Sequence, residues 1–319
     1  MSLRVKCGPF IRGLMTLSML CMLFVLVACG SEDNEAEAKE GKIKITATIG
    51  MISDIVREIG GEHVEVTGLM GPGVDPHLYK ASQGDIRKLD QADIVFYNGL
   101  HLEGKMTDIL DKMGDKKTVV AVAGDIDKSK LRSGKDTGGT EFDPHIWFDV
   151  QLWMEASQKV VDTLKESDPI HADDYTSSGE AYLAQLKALD QEVRESIRQI
   201  PEATRVLVTA HDAFGYYGDA YNIKVMGLQG ISTAAEYGSK DVSVLRDYLI
   251  DNKIKAVFVE SSVPPKSMEA IIAGALEKGH QVQIGGELYS DAMGEEGSES
   301  DNYIGMIRHN TKVITEALK

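Results

Sequence analysis

The chain carries eight histidines, and two of them, His77 and His145, each close an Asp-Pro-His tripeptide: Asp75-Pro76-His77 in GPGVDPHLYK and Asp143-Pro144-His145 in TEFDPHIWFDV. Asp before Pro resembles a helix start, the carboxylate capping free N–H groups while the ring presets φ at the first helical position. One copy reads most simply as a loop with a solvated histidine. Its repetition favours two histidines on stiff backbone, placed to ligate a metal. His211 directly follows the strand-like RVLVTA, and Asp291 follows QVQIG after a short loop. Three imidazoles and one carboxylate make a nitrogen-rich donor set. It suits borderline divalent ions such as Zn²⁺ or Mn²⁺ and not Ca²⁺ or Mg²⁺, and ligand type alone does not choose between the first two. A ligating imidazole gives its other N–H to a carboxylate or carbonyl. The candidates here are Asp75, Asp143, Asp212 and Glu260, each of which could equally be a cap or a surface charge.

Of the other histidines, His63, His171 and His280 follow turn-like residues and read as surface positions. His101 in NGLHLEG borders the expected cleft, and His309 reads as packed or hydrogen-bonded within a helix. Thr233, with Glu236 three residues on, could form a capping box. The chain has no H-E-x-x-H, G-x-S-x-G or Walker pattern, which argues against a zinc-dependent hydrolase.

Stepping the chemistry into place falls to an alternation of elements. Lys42 to Gly50, His63 to Leu69, Ile94 to Tyr97 and Thr118 to Val122 read as strands, with helices at Met51 to Ile59 and Gln83 to Leu89. A further helix is expected over Phe148 to Lys165. The second half repeats the rhythm: strands at Arg205 to Thr209, Lys224 to Met226, Ala256 to Val259 and Gln281 to Ile284, helices at Ala213 to Tyr221, Val242 to Asp251, Lys266 to Lys278 and Tyr303 to Leu318. Such alternation implies an α/β fold with parallel sheets, whose ligands gather beyond the C-terminal strand ends. Between the halves, Ala172 to Ile200 keeps helical spacing of Leu183, Leu186, Leu189, Val193 and Ile197. A helix of that length spans roughly 40 Å and reads as a rigid connector of two (β/α) lobes rather than a core helix, with the metal site in the interlobe cleft.

Residues 1–28 combine Arg4, Lys6 and Arg12 with a long apolar run that ends in Leu26-Val27-Ala28-Cys29, which reads as a lipoprotein signal peptide cut before a lipidated Cys29. The alternative is a plain membrane anchor. Residues 29–41 are charged and poor in apolar side chains, a flexible tether. The expected division continues with an N-terminal lobe at 42–170, the linker helix at 171–201 and a C-terminal lobe at 202–319. Cys7 and Cys21 leave with the signal, so no thiolate zinc site remains. The net charge of −16 disfavours nucleic acid as a partner and is compatible with attracting cations.

LMGPGVDPHLYKAS, NGLHLEGKM, FDPHIWFDV, VTAHDAFGYYG, GLQGIST, KAVFVESSV and GGELYSDAMG together resemble the metal-binding lipoproteins of manganese and zinc ABC importers, and among these the manganese-binding lipoproteins of Gram-positive bacteria. The resemblance spans nearly all of the mature chain. It implies two (β/α) lobes, a spanning helix, and an ion bound by His77, His145, His211 and Asp291. It implies an extracytoplasmic, lipid-anchored, monomeric protein that captures Mn²⁺, or alternatively Zn²⁺, and passes it to an ABC permease driven by a cytoplasmic ATPase. Some manganese members carry glutamate at the position of His211, which keeps zinc open; the histidine-rich loop of many zinc members has no counterpart here. Release through loosening of the glycine-flanked Asp291 loop is the expected delivery step. A metal-independent adhesin is the remaining alternative.

Overall fold

The computed structural model describes residues 41–134 and 141–319. The signal segment, Cys29, the tether up to residue 40 and residues 135–140 of the glycine-rich loop lie outside them. The first half alternates β1 (Ile43–Ala47), α1 (Gly50–Gly60), β2 (Val64–Gly68), α2 (Gln83–Gln91), β3 (Ile94–Tyr97), α3 (Thr107–Gly114) and β4 (Thr118–Ala121). Its strands form one parallel sheet in the order β2-β1-β3-β4, with Ile45 opposite both Val66 and Ile94. Parallel neighbours need helical crossovers, and α1 serves as one. It buries Met51, Ile52, Ile55, Val56 and Ile59 along one stripe and stops at Gly61, whose φ of 52° strongly favours glycine. A capping box between Ser82 and Asp85 starts α2. The sequence reading passes over α3, which buries only Leu110 and Met113 and so leaves a weak periodic signal.

After α4 (Val150–Ser167) comes the 27-residue α5 (Ala172–Arg198). The second half holds β5 (Val206–His211), α6 (Gly215–Tyr221), β6 (Lys224–Gln229), α7 (Ser239–Asp251), β7 (Ala256–Glu260), α8 (Lys266–Glu277), β8 (Gln283–Leu288) and α9 (Tyr303–Leu318). Strands β5 and β6 pair in parallel, as do β7 and β8, the latter with a bulge at Val257/Phe258. The α/β fold with parallel sheets on either side of a long helix is therefore present. The helix is not a bare strut, however. It buries Tyr175, Tyr182, Leu186, Leu189, Val193 and Ile197 in a core cluster that also takes in Ile52 and Val56 of the first half and Leu207, Phe258 and Tyr303 of the second. Residues 41–319 form one compact unit, and a shared close-packed core resists shear between the halves. Among the described residues, no helix is long and apolar enough to cross a membrane.

Asp54 joins the two ends of this unit by accepting the main-chain N–H of Tyr303, the first residue of α9, at 2.9 Å. Burial pushes its carboxyl up to about 6, only partly offset by that hydrogen bond. Because the folded pKa exceeds the unfolded one, the folded chain holds this proton more tightly. The contribution to stability is full below about pH 4 and is lost as pH rises through 6, by roughly 3 kcal/mol for two units of displacement. Asp54→Asn keeps an acceptor for Tyr303 and removes the buried charge. Urea midpoints of the metal-free protein are expected to rise for this variant at pH 7.5 and to approach the parent below about pH 4; an equal difference at both pH values would remove Asp54 from the account.

Candidate metal centre

The parallel pairing collects the C-terminal strand ends at one edge, where the sequence-predicted residues meet. His77 lies in the loop after β2, His145 in the segment between β4 and α4, His211 is the last residue of β5, and Asp291 lies three residues past β8. All four are buried, and one ligand atom from each lies within 4.8 Å of the others. Nε2 of His77 is 3.2 Å from Nε2 of His145 and 3.7 Å from Oδ2 of Asp291. His145 Nε2 is 3.3 Å from Asp291 Oδ1, and His211 Nε2 is 3.3 Å from Asp291 Oδ2. Donors at about 2.1 Å from a tetrahedral ion stand about 3.4 Å apart, so these separations suit a single ion. The two carboxylate oxygens face different imidazoles, which also permits a five-donor set.

The twin turns do not begin α-helices. After His77 the turn ends at Leu78 and the chain runs without regular structure until Ser82 caps α2; after His145 it makes one short 3₁₀ turn, Ile146–Phe148, and Asp149 caps α4. Asp75 Oδ1 accepts the N–H of His77 at 2.9 Å and Asp143 Oδ1 that of His145 at 3.0 Å, the two-residue closure of an Asx turn. Asp149 makes the same bond to Gln151 and α4 follows it, so the bond alone does not decide whether a helix begins.

Acceptors behind the rings differ among the three histidines. His145 donates from Nδ1 to Asp143 at 2.7 Å, and His211 from Nδ1 to Glu260 at 2.5 Å, with a second bond from its main-chain N–H to the other oxygen of Glu260 at 2.9 Å. Asp75 reaches the backbone of His77 and not its ring. Asp212 hydrogen-bonds none of the imidazoles among the described residues; its carboxyl is pushed up by burial and by Asp143. These contacts set the charge states. Burial opposes protonation of His145, yet the hydrogen bond and charge of Asp143, with Asp291, push it up to about 9. Burial likewise opposes a charged His211, and Glu260 with Asp291 outweigh it, raising the ring well above its ordinary value. His77 lacks such support, and burial takes it down to about 3. Burial works against an ionised Asp291 too, but His211 and His145 hold it well below the usual carboxylate range. The carboxylates beside His145 and His211 thus favour a proton on each ring, in competition with a bound cation.

Several supporting residues escaped the sequence reading. Trp147 lies edge-on to His145 at 5.2 Å and donates from Nε1 to the carbonyl of Ser290, beside Asp291, at 2.9 Å. Asn310 clamps Tyr289 through both its N–H and its carbonyl, so the Asp291 loop is braced at its base. Asn98 donates to the carbonyl of Pro144 at 3.0 Å, and buried Glu103 accepts the N–H groups of Asn98 and Gly99, which explains NGLHLEG as a buttress of the second turn. Arg132 lies 3.5 Å from Asp143 and also pairs with Asp219, while Tyr216 donates to the carbonyl of Asp143. Only Trp147, two residues from His145, left a local signal; the other partners are distant in the chain. His101 is exposed at a φ of 68°, outside the cluster. His63 and His171 are half-buried and stack at 3.9 Å, beside Asp174 and Asp168 respectively. His280 bonds the carbonyl of Ile254, and His309 that of Glu287. Among the described residues no other group of three or more such side chains converges.

The family described as "zinc-uptake complex component A periplasmic" matches residues 45–317. The "manganese-binding lipoprotein MntA" of Bacillus subtilis is 51% identical over 308 residues, 97% of this chain and 99% of that protein. The "zinc-binding protein TroA" of Treponema pallidum is 46% identical over 291 residues, 91% of this chain and 92% of its own. The solved structure of the periplasmic zinc-binding TroA superposes with a TM-score of 0.85 at 46% identity, covering 87% of this chain and 99% of that one.

Proposed function

The chain belongs to the zinc-uptake complex component A family, and on that premise we propose that it is the substrate-binding lipoprotein of a metal ABC importer, which captures Mn²⁺ outside the cytoplasmic membrane and delivers it to the permease and its ATPase. The observation that carries this reading is the buried convergence of His77, His145, His211 and Asp291, the four residues proposed to bind the ion. The likeness to the manganese-binding protein of Bacillus subtilis supports manganese. Zinc is the second reading, favoured by three imidazoles at tetrahedral spacing and by the likeness to the zinc-binding protein of Treponema pallidum. We read the chain as non-catalytic: a hydrolytic zinc keeps an open position beside three protein donors, and here a fourth donor closes the set. Lipidation at Cys29, a single-chain state, and lobes at 42–170 and 202–319 flanking the helix at 171–201 complete the proposal.

The raised His145 and His211 make a direct test. An ion needs both rings neutral, so binding at pH 7 should expel up to about two protons per ion and affinity should fall with falling pH. Titration calorimetry of chelator-stripped protein with Mn²⁺ and with Zn²⁺, in two buffers of different ionisation enthalpy, reads both proton release and ion preference. Failure of the stripped protein to bind either ion would sink the reading, and a lead of zinc in competition at equal free ion would favour the second.

A further inference from the structure

The three histidines are not held alike, and the difference points across the molecule. His145 and His211 each have Nδ1 fixed by a buried carboxylate, whereas the hydrogen bond that fixes His77 in its turn runs from its main-chain N–H to Asp75 Oδ1. The other oxygen of Asp75 accepts the hydroxyl of Thr233 at 2.5 Å, from a residue 158 positions away in the second half. Thr233 is not the cap of a helix: α7 begins at Ser239 with Gly238 before it, and Asp241 closes that start. It lies instead in the loop after β6. There Gln229 donates from Nε2 to the carbonyls of Thr233 and Ala235, both at 3.1 Å. Gln229 is itself the strand partner of His211. A continuous path therefore runs from His211 through Gln229, Thr233 and Asp75 to His77.

We propose that Thr233 is a positioning residue for the bound ion: its hydroxyl clasps the first Asp-Pro-His turn to the second half, and opening that clasp frees His77 first. The proposal rests on the four-ligand reading above and revises where release begins. Asp291 is braced by Asn310 at Tyr289 and by Trp147 at Ser290. The turn carrying His77 runs along the surface, with Leu78 half exposed. A side chain held through one aspartate is the ligand whose position depends most on a single distant contact.

The test uses the full chain with Thr233→Val, which keeps the shape and removes the hydroxyl, and Thr233→Ser, which restores it. In the metal-free protein, hydrogen exchange of the amides across residues 73–79 should quicken in Thr233→Val and return toward the parent rate in Thr233→Ser. In the loaded protein, release of Mn²⁺ or Zn²⁺ into excess chelator should be about tenfold faster for Thr233→Val, the size of one net hydrogen bond, and near the parent rate for Thr233→Ser. Unchanged exchange in Thr233→Val overturns the clasp. Faster exchange with unchanged release, or release as fast in Thr233→Ser as in Thr233→Val, overturns the positioning role. A parent chain that binds neither ion defeats the four-ligand reading and with it the positioning role, while the exchange measurement still decides the clasp.

Discussion

Asp291→Asn should weaken binding of Mn²⁺ and Zn²⁺ by about 10² to 10⁴-fold, the equivalent of roughly 3–5 kcal/mol for removing one charge from a buried ionic set. Asp291 is the only anionic member of the four-residue cluster, and its two oxygens stand 3.3 Å from His145 and His211 and 3.7 Å from His77. Asparagine has nearly the same shape, so the loss reports charge. The substitution also removes one of the groups that raise His145 and His211, so proton release per ion should fall along with affinity. Competition against a calibrated chelator measures the first effect and paired-buffer calorimetry the second. Affinity within about threefold of the parent for both ions, a change of well under 1 kcal/mol, would exclude Asp291 as a ligand.

His145→Ala should abolish the stabilisation that an ion confers. Free ion at a thousand times Kd stabilises a protein by about 4 kcal/mol, which for a domain of this size raises the melting temperature by roughly 7 °C. The variant loses a donor and leaves buried Asp143 without its ring partner, with Arg132 3.5 Å away and a main-chain N–H still donating to it. The metal-free protein should therefore melt lower as well, so the informative quantity is the difference between melts with and without the ion. That difference should shrink to near zero for His145→Ala and for His77→Ala. A shift of full size in both variants would place the bound ion away from these residues, and no shift even in the parent would fit the metal-independent adhesin.

Much of this was legible in the chain because it is written in local terms. Alternating β-branched runs and helical stripes identify strands and helices, and parallel topology turns strand ends such as His211 and Glu260 into site positions. The misreadings have equally local causes. Asp-Pro matches a helix start, yet Asp75 and Asp143 close turns with no α-helix directly after them, while Asp149 makes the same two-residue bond and does open one. Thr233 with Glu236 matched a capping box, yet its hydroxyl goes to Asp75. The long helix looked like a strut because its apolar stripe is narrow, and its partners Ile52, Leu207 and Tyr303 come from both ends of the chain.

By itself, then, the sequence determined the kind of chemistry available, imidazoles and carboxylates with no cysteine after Cys29, and the α/β alternation that carries the donors to strand ends. Tertiary structure alone decided the pairing behind the donors. Glu260 rather than Asp212 stands behind His211, Asp75 serves the backbone of His77, and Trp147 reaches Ser290 across 143 positions. The physical reason is that a short-range pattern sets backbone geometry, whereas the strength and proton content of a buried site depend on directional contacts of about 3 Å that only the packed core brings within reach.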